Sequence, residues 1–87
     1  MKGTITVRLK AGVLDVEGVA IGRALSTLGF GDPAVRVGRV FEVDLAETDP
    51  AAARAALTGM AEKLLANPVM ETFEVAVSVG APSDGGT

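Results

Sequence analysis

Three stretches of this chain alternate apolar and polar residues with a period of two, and the gaps between them carry helical periodicity instead. Side chains two apart share one face of a strand, whereas side chains three or four apart share one face of a helix. The first pattern prescribes strands with one apolar face, and the second prescribes helices with one apolar stripe. Elements of these two kinds bury their apolar surfaces by stacking helices on a sheet.

In the first stretch Ile5, Val7 and Leu9 point one way, and Lys2, Thr4, Thr6, Arg8 and Lys10 point the other. Ala11-Gly12 begins a connection, and Asp15 has the carboxylate of a helix N-cap. The helix that follows extends to about Leu28, with Ile21, Leu25 and Leu28 as its buried stripe. Gly29 suits the left-handed position after the helix, and Phe30 the hydrophobic contact that accompanies it. Gly18 and Gly22 lie one turn apart inside this helix. Each costs about 1 kcal/mol relative to Ala, so close packing of the helix onto the sheet is expected in return.

Gly31-Asp32-Pro33 reads as a loop, and Val35, Val37, Phe41, Val43 and Leu45 form a second alternating run. Arg39 falls on the apolar parity of that run. Gly38-Arg39 therefore marks a hairpin turn or a bulge, giving two short strands or one bent strand. Asp49-Pro50 starts a second helix, with Ala53, Leu57, Met60, Ala61 and Leu64 along one face and six Ala between 51 and 61. Asn67-Pro68 ends it, with Asn67 suited to a left-handed cap. Phe73, Val75, Val77 and Val79 define the last strand. The order β-α-β-β-α-β predicts an α+β, ferredoxin-like two-layer sandwich, an antiparallel sheet with both helices on one face. A single domain is expected over 1–79, followed by a flexible Gly/Pro/Ser-rich tail at 80–87.

The opposite sheet face then carries Arg8, Lys10 and Arg36 alongside Glu42, Asp44 and Glu74, with Thr4, Thr6 and Ser78 between them. It reads either as a solvated face whose charges pair across strands or as a docking face for a second subunit. A chain of 87 residues buries only about 63% of its unfolded surface on folding, which favours association. Residues 1–41 hold six Lys/Arg against three Asp/Glu and residues 42–87 two against eight, so net +3 and −6 sum to −3. This charge split gives a dipole that can orient like subunits against one another.

Composition narrows the function. The chain has no Cys and no His, which removes disulfides, thiolate metal sites, Cys nucleophiles and the commonest general base near neutral pH. Catalysis by this chain alone is not expected. The carboxylate pairs Asp15/Glu17 and Glu42/Asp44 read as a helix start and as one strand face. Nucleic acid is not an expected partner, because the net charge is negative and all three Phe fall on core parity or in a cap. Gly12 lacks the further glycines of a phosphate loop. No apolar run approaches the ~20 residues of a membrane span, and the N-terminus lacks the apolar block of a signal peptide, so a cytoplasmic location is expected.

Leu9-Lys10-Ala11-Gly12-Val13-Leu14-Asp15, then Val35-Arg36-Val37-Gly38-Arg39, then Lys63-Leu64-Leu65-Ala66-Asn67-Pro68-Val69 resemble the PurS family, the small subunits of phosphoribosylformylglycinamidine synthase. The resemblance runs from about Lys2 to Val79. Val16 departs from it, since the family usually has Pro after the Asp, and Arg39 stands where Lys is common. The resemblance implies a non-catalytic adaptor in the ATP- and glutamine-dependent amidation of formylglycinamide ribonucleotide during purine synthesis. Such an adaptor forms a homodimer or higher oligomer, bridges the PurQ glutaminase and PurL synthetase subunits, and assists ammonia transfer between them. ATP and magnesium are then expected on the large partner subunit, with no cofactor on this chain. Lys10, Arg36, Arg39 and Asn67 are the expected partner-facing residues. The alternative reading is an ACT-like sensing module that binds an amino acid near the turn at Lys10–Asp15.

Overall fold

The computed structural model describes residues 1–78. Its elements are β1 (Lys2–Leu9), α1 (Val16–Thr27), β2 (Gly38–Asp44), α2 (Pro50–Met60) continued by a π-helical turn (Ala61–Leu65), and β3 (Glu71–Ser78). The strands form an antiparallel sheet in the order β2-β1-β3. Ile5 lies opposite Phe41 on one side and Val75 on the other, so odd-numbered residues of all three strands share one face. The α+β class, the antiparallel sheet and its pair of helices are as the sequence predicts. The second alternating run contributes one strand beginning at Gly38, with neither hairpin turn nor bulge at Gly38-Arg39. The predicted tail at 80–87 lies outside the described residues.

Helix α2 covers the odd-numbered face. Asp49 caps it by accepting from the Ala52 N–H at 3.2 Å, and Pro50 occupies its first turn. Ala53, Leu57 and Ala61 are fully buried, and Leu57 sits with Ile5 and Val7 at the centre of the core. Gly3 makes this approach possible, because a Cβ there would collide with the Leu57 side chain. Arg54 ties the helix to β3 by donating to the Val75 carbonyl at 2.9 Å.

The helix face does not continue to Leu64, which is 83% exposed. The π turn is the reason. The Ala66 N–H donates to the Ala61 carbonyl, five residues back, which inserts one residue into the helical register. Ala61 and Ala66 thus become the buried pair, and Leu65 rather than Leu64 packs against the core. Asn67 is not left-handed either, since no non-glycine residue among those described has positive φ. Its side-chain oxygen instead accepts from the Val69 N–H at 2.9 Å, closing a turn before β3.

Helix α1 behaves differently. Asp15 caps it as expected, and Gly29, at φ 97°, closes a Schellman motif in which Phe30 N–H reaches the Leu25 carbonyl and Gly29 N–H the Ser26 carbonyl. The Phe30 side chain makes no matching contact and is 69% exposed. The buried positions of α1 are Gly18 and Gly22, and they approach the segment Pro33–Val35 rather than the sheet: a Cβ at Gly18 would collide with the Val35 carbonyl. The stripe Ile21, Leu25, Leu28 is not buried, with Leu28 71% exposed. The chain is therefore flat and long, 48 × 33 × 14 Å, with a radius of gyration of 16.2 Å. A compact chain of this length has a radius of about 12 Å.

Candidate functional site

Lys10, Arg36, Arg39 and Asn67 come together at one end of the sheet, where β1 finishes and β2 and β3 begin. The Lys10 N–H donates to the Met70 carbonyl at 2.8 Å, which extends the β1–β3 pairing by one residue. The Lys10 side chain is exposed and borders a shallow hollow of about 380 Å³ shared with Glu62, Pro68, Glu71 and Phe73.

Arg36 does not lie on the open sheet face. It precedes β2, and its guanidinium folds back onto the β1–α1 connection, donating to the carbonyls of Val13 and Lys10 at 3.0 Å and more weakly to Leu9 at 3.5 Å. Asp15 completes this clamp. Its carboxylate accepts from the Val37 N–H at 2.7 Å and the Gly18 N–H at 2.8 Å. Those two hydrogen bonds, the Val37 one foremost, hold its pKa below the ordinary 3.8 against the opposing effect of burial, with help from the Arg36 charge. The connection at Lys10–Asp15, where a sensor would seat an amino acid, thus has its carbonyls occupied by the chain's own arginine.

Arg39 belongs to a second cluster, and Glu71 is the member that the sequence reading missed. The Arg39 guanidinium donates to both Glu71 carboxylate oxygens, at 3.0 and 2.9 Å, and lies 5.6 Å from the centre of the Phe41 ring. The Asn67 N–H donates to the same carboxylate at 2.7 Å, and the Asn67 carbonyl accepts from the Glu71 N–H at 2.7 Å. The signal was present in the pattern. Arg39 and Glu71 are the charged residues on the apolar parity of β2 and β3, opposite Val7 and Leu9 of the strand between them. Two opposite charges on the core face flanking one strand are close enough to pair across it. Here they close the open end of the core beneath the π turn.

The even-numbered sheet face settles into cross-strand pairs. Arg8 meets Glu74 at 3.2 Å with both side chains largely exposed, and the partly exposed Lys2 approaches Glu42 at 4.0 Å. This fits the solvated reading of that face better than the docking one. Among the described residues no cluster of acids could hold a metal ion, and no helix is long and apolar enough to cross a membrane.

Comparison with known proteins extends this picture. The family described as "PurS: Phosphoribosylformylglycinamidine (FGAM) synthase" matches residues 2–79. The chain is 40% identical over 80 residues to the phosphoribosylformylglycinamidine synthase subunit PurS of Synechocystis, covering 88% of this chain and 80% of that one. The PurS subunit of Methanocaldococcus jannaschii is 35% identical over 77 residues, 87% of this chain and 93% of the relative. The crystal structure of that archaeal protein, one of the subunits of formylglycinamide ribonucleotide amidotransferase in the purine biosynthetic pathway, superposes with a TM-score of 0.82 over 90% of this chain and 95% of its own. The PurS subunit of Thermotoga maritima, 29% identical, superposes with a TM-score of 0.80 over 86% of this chain and 87% of its own.

Proposed function

The chain belongs to the PurS family of phosphoribosylformylglycinamidine synthase, a complex of purine biosynthesis, and we propose that within it this chain is a non-catalytic adaptor. The adaptor pairs with itself, bridges the PurQ glutaminase and PurL synthetase subunits and assists the passage of ammonia between them in the cytoplasm. ATP and magnesium act on the large partner subunit.

One observation supports this reading above the others: among the described residues, the two most enclosed carboxylates are spent inside the chain. Asp15 is taken by two backbone N–H groups, and Glu71 by Arg39 and the Asn67 N–H. A general acid or base needs a free face toward a substrate proton. Both of these groups instead fasten connections that shape the surface at the sheet end.

Reconstitution tests the reading. PurQ and PurL are mixed with and without this chain, and turnover is followed with glutamine or with ammonia as nitrogen donor. Omitting the chain is expected to abolish the glutamine-dependent rate and to spare the ammonia-dependent one. A glutamine-dependent rate that is unchanged without the chain refutes the adaptor role.

A further inference from the structure

Helix α1 stands outside the packing of the other elements. The strands and α2 pack on one another, no core residue lies on α1, and its buried positions are the two glycines Gly18 and Gly22. Apolar burial therefore does not aim this helix. What aims it lies at its base.

The chain leaves the sheet after β1 and returns to it at β2, and three contacts join the outgoing limb to the returning one. Asp15, on the outgoing limb, accepts from the Gly18 N–H with one carboxylate oxygen at 2.8 Å and from the Val37 N–H of the returning limb with the other at 2.7 Å. Arg36 reaches the opposite way, donating from the returning limb to the Lys10 and Val13 carbonyls, both at 3.0 Å. Gly18 lies so near the Val35 carbonyl that a Cβ would collide with it. The sheet begins just beyond, where Arg8 and Gly38 form the last pair between β1 and β2.

One contact fixes a distance, whereas three contacts at separate points fix a direction. The direction matters because α1 is a lever. Its 12 residues span about 18 Å at about 1.5 Å per residue, so a swing of about 20° at the base carries the far end about 6 Å. The two side chains suit the task by their chemistry. A carboxylate has two acceptor oxygens and serves both limbs at once, and a guanidinium is a planar fork that spans two carbonyls.

We propose that Asp15 and Arg36 are positioning residues of the adaptor, which hold α1 at the angle to the sheet that PurQ and PurL need for glutamine-dependent turnover. They act through α1 rather than on a partner. This inference rests on the adaptor reading and names the side chains that aim it.

The chain has no Cys, so Ser26→Cys near the far end of α1 and Ala76→Cys on β3, both exposed, can carry a pair of spin labels. Labelled chain diluted into excess unlabelled chain reports the distance within one copy by pulsed electron resonance. The native background is expected to give one narrow distance. Asp15→Asn still caps the helix, since Asn does so as well as Asp, but its single acceptor oxygen cannot serve both limbs. Arg36→Gln removes the exposed fork. Each is expected at least to double the width of the distance distribution with the circular dichroism spectrum unchanged. The same variants without labels, at saturating concentration with PurQ and PurL, are expected to lower the glutamine-dependent rate at least fivefold and to leave the ammonia-dependent rate unchanged. Saturation separates a misdirected helix from a weakly bound chain. A distribution as narrow in both variants as in the native background overturns the proposal, and so does a broadened one with full glutamine-dependent turnover. A native chain that proves dispensable to the glutamine-dependent rate refutes the adaptor reading and the coupling role with it, even where the distances show that the two residues aim α1.

Discussion

Leu57 lies within the 11-residue helix α2 and Leu28 caps the C-terminus of the 12-residue helix α1, yet Leu57 has no exposed surface and Leu28 is 71% exposed. The difference divides the molecule into a body and an arm. The body, β1–β3 with α2, is held by apolar burial centred on Ile5, Val7 and Leu57. The arm, α1 with the segment 33–37, is held by a few directional contacts: the two hydrogen bonds to Asp15, the fork of Arg36 and the close approach at Gly18. Burial is non-directional and scales with area, so the body tolerates small shifts. The arm depends on individual atoms and loses its position when one of them is displaced.

Leu57→Ala should break the body side of this contrast most severely. Removing a fully buried leucine costs about 2–5 kcal/mol, and urea denaturation should show the loss. Gly18→Ala attacks the arm. The added methyl cannot fit against the Val35 carbonyl, and overpacking of this kind costs about 1–3 kcal/mol. Hydrogen exchange sharpens the comparison: the amides at positions 37 and 18 should lose protection in this variant while those of β1 keep theirs.

Acid should loosen the arm before the body. The Asp15 pKa is depressed on folding, so its contribution is fully present above the unfolded value near 3.8 and is lost as pH falls through the lower folded value. A pH titration by NMR should therefore show the Val37 amide signal moving only below about pH 4, and Asp15→Asn should abolish that step. The smallest effect is expected on the open sheet face. Arg8→Gln removes an exposed pair with Glu74, worth about 0.2–1 kcal/mol, and the denaturation midpoint should barely change. A large loss there would mean that this face is covered after all.

Much of the candidate site was legible in the chain. The capping role of Asp15, the left-handed Gly29 and the anomaly of Arg39 on an apolar parity all follow from local rules, because each depends on residues a few positions apart. Glu71 was legible in principle as the matching anomaly in β3, but recognising the pair requires knowing that β1 lies between the two strands. Arg36 was misplaced for a related reason: alternation counted it into a strand that begins two residues later, at Gly38. The exposure of Leu64 was not legible, since nothing in Ala61–Leu65 announces that the helix widens there by one residue.

Periodicity by itself determined which segments are strands and helices and which side of each is apolar, because those properties are set by steric and solvation preferences within a few residues. Only the tertiary structure decided which apolar sides are covered. Burial belongs to two surfaces at once: α2 meets the sheet because Gly3 lets it approach, whereas α1 is fastened by Asp15 and Arg36 to the segment before β2 and carries its leucines away from the core.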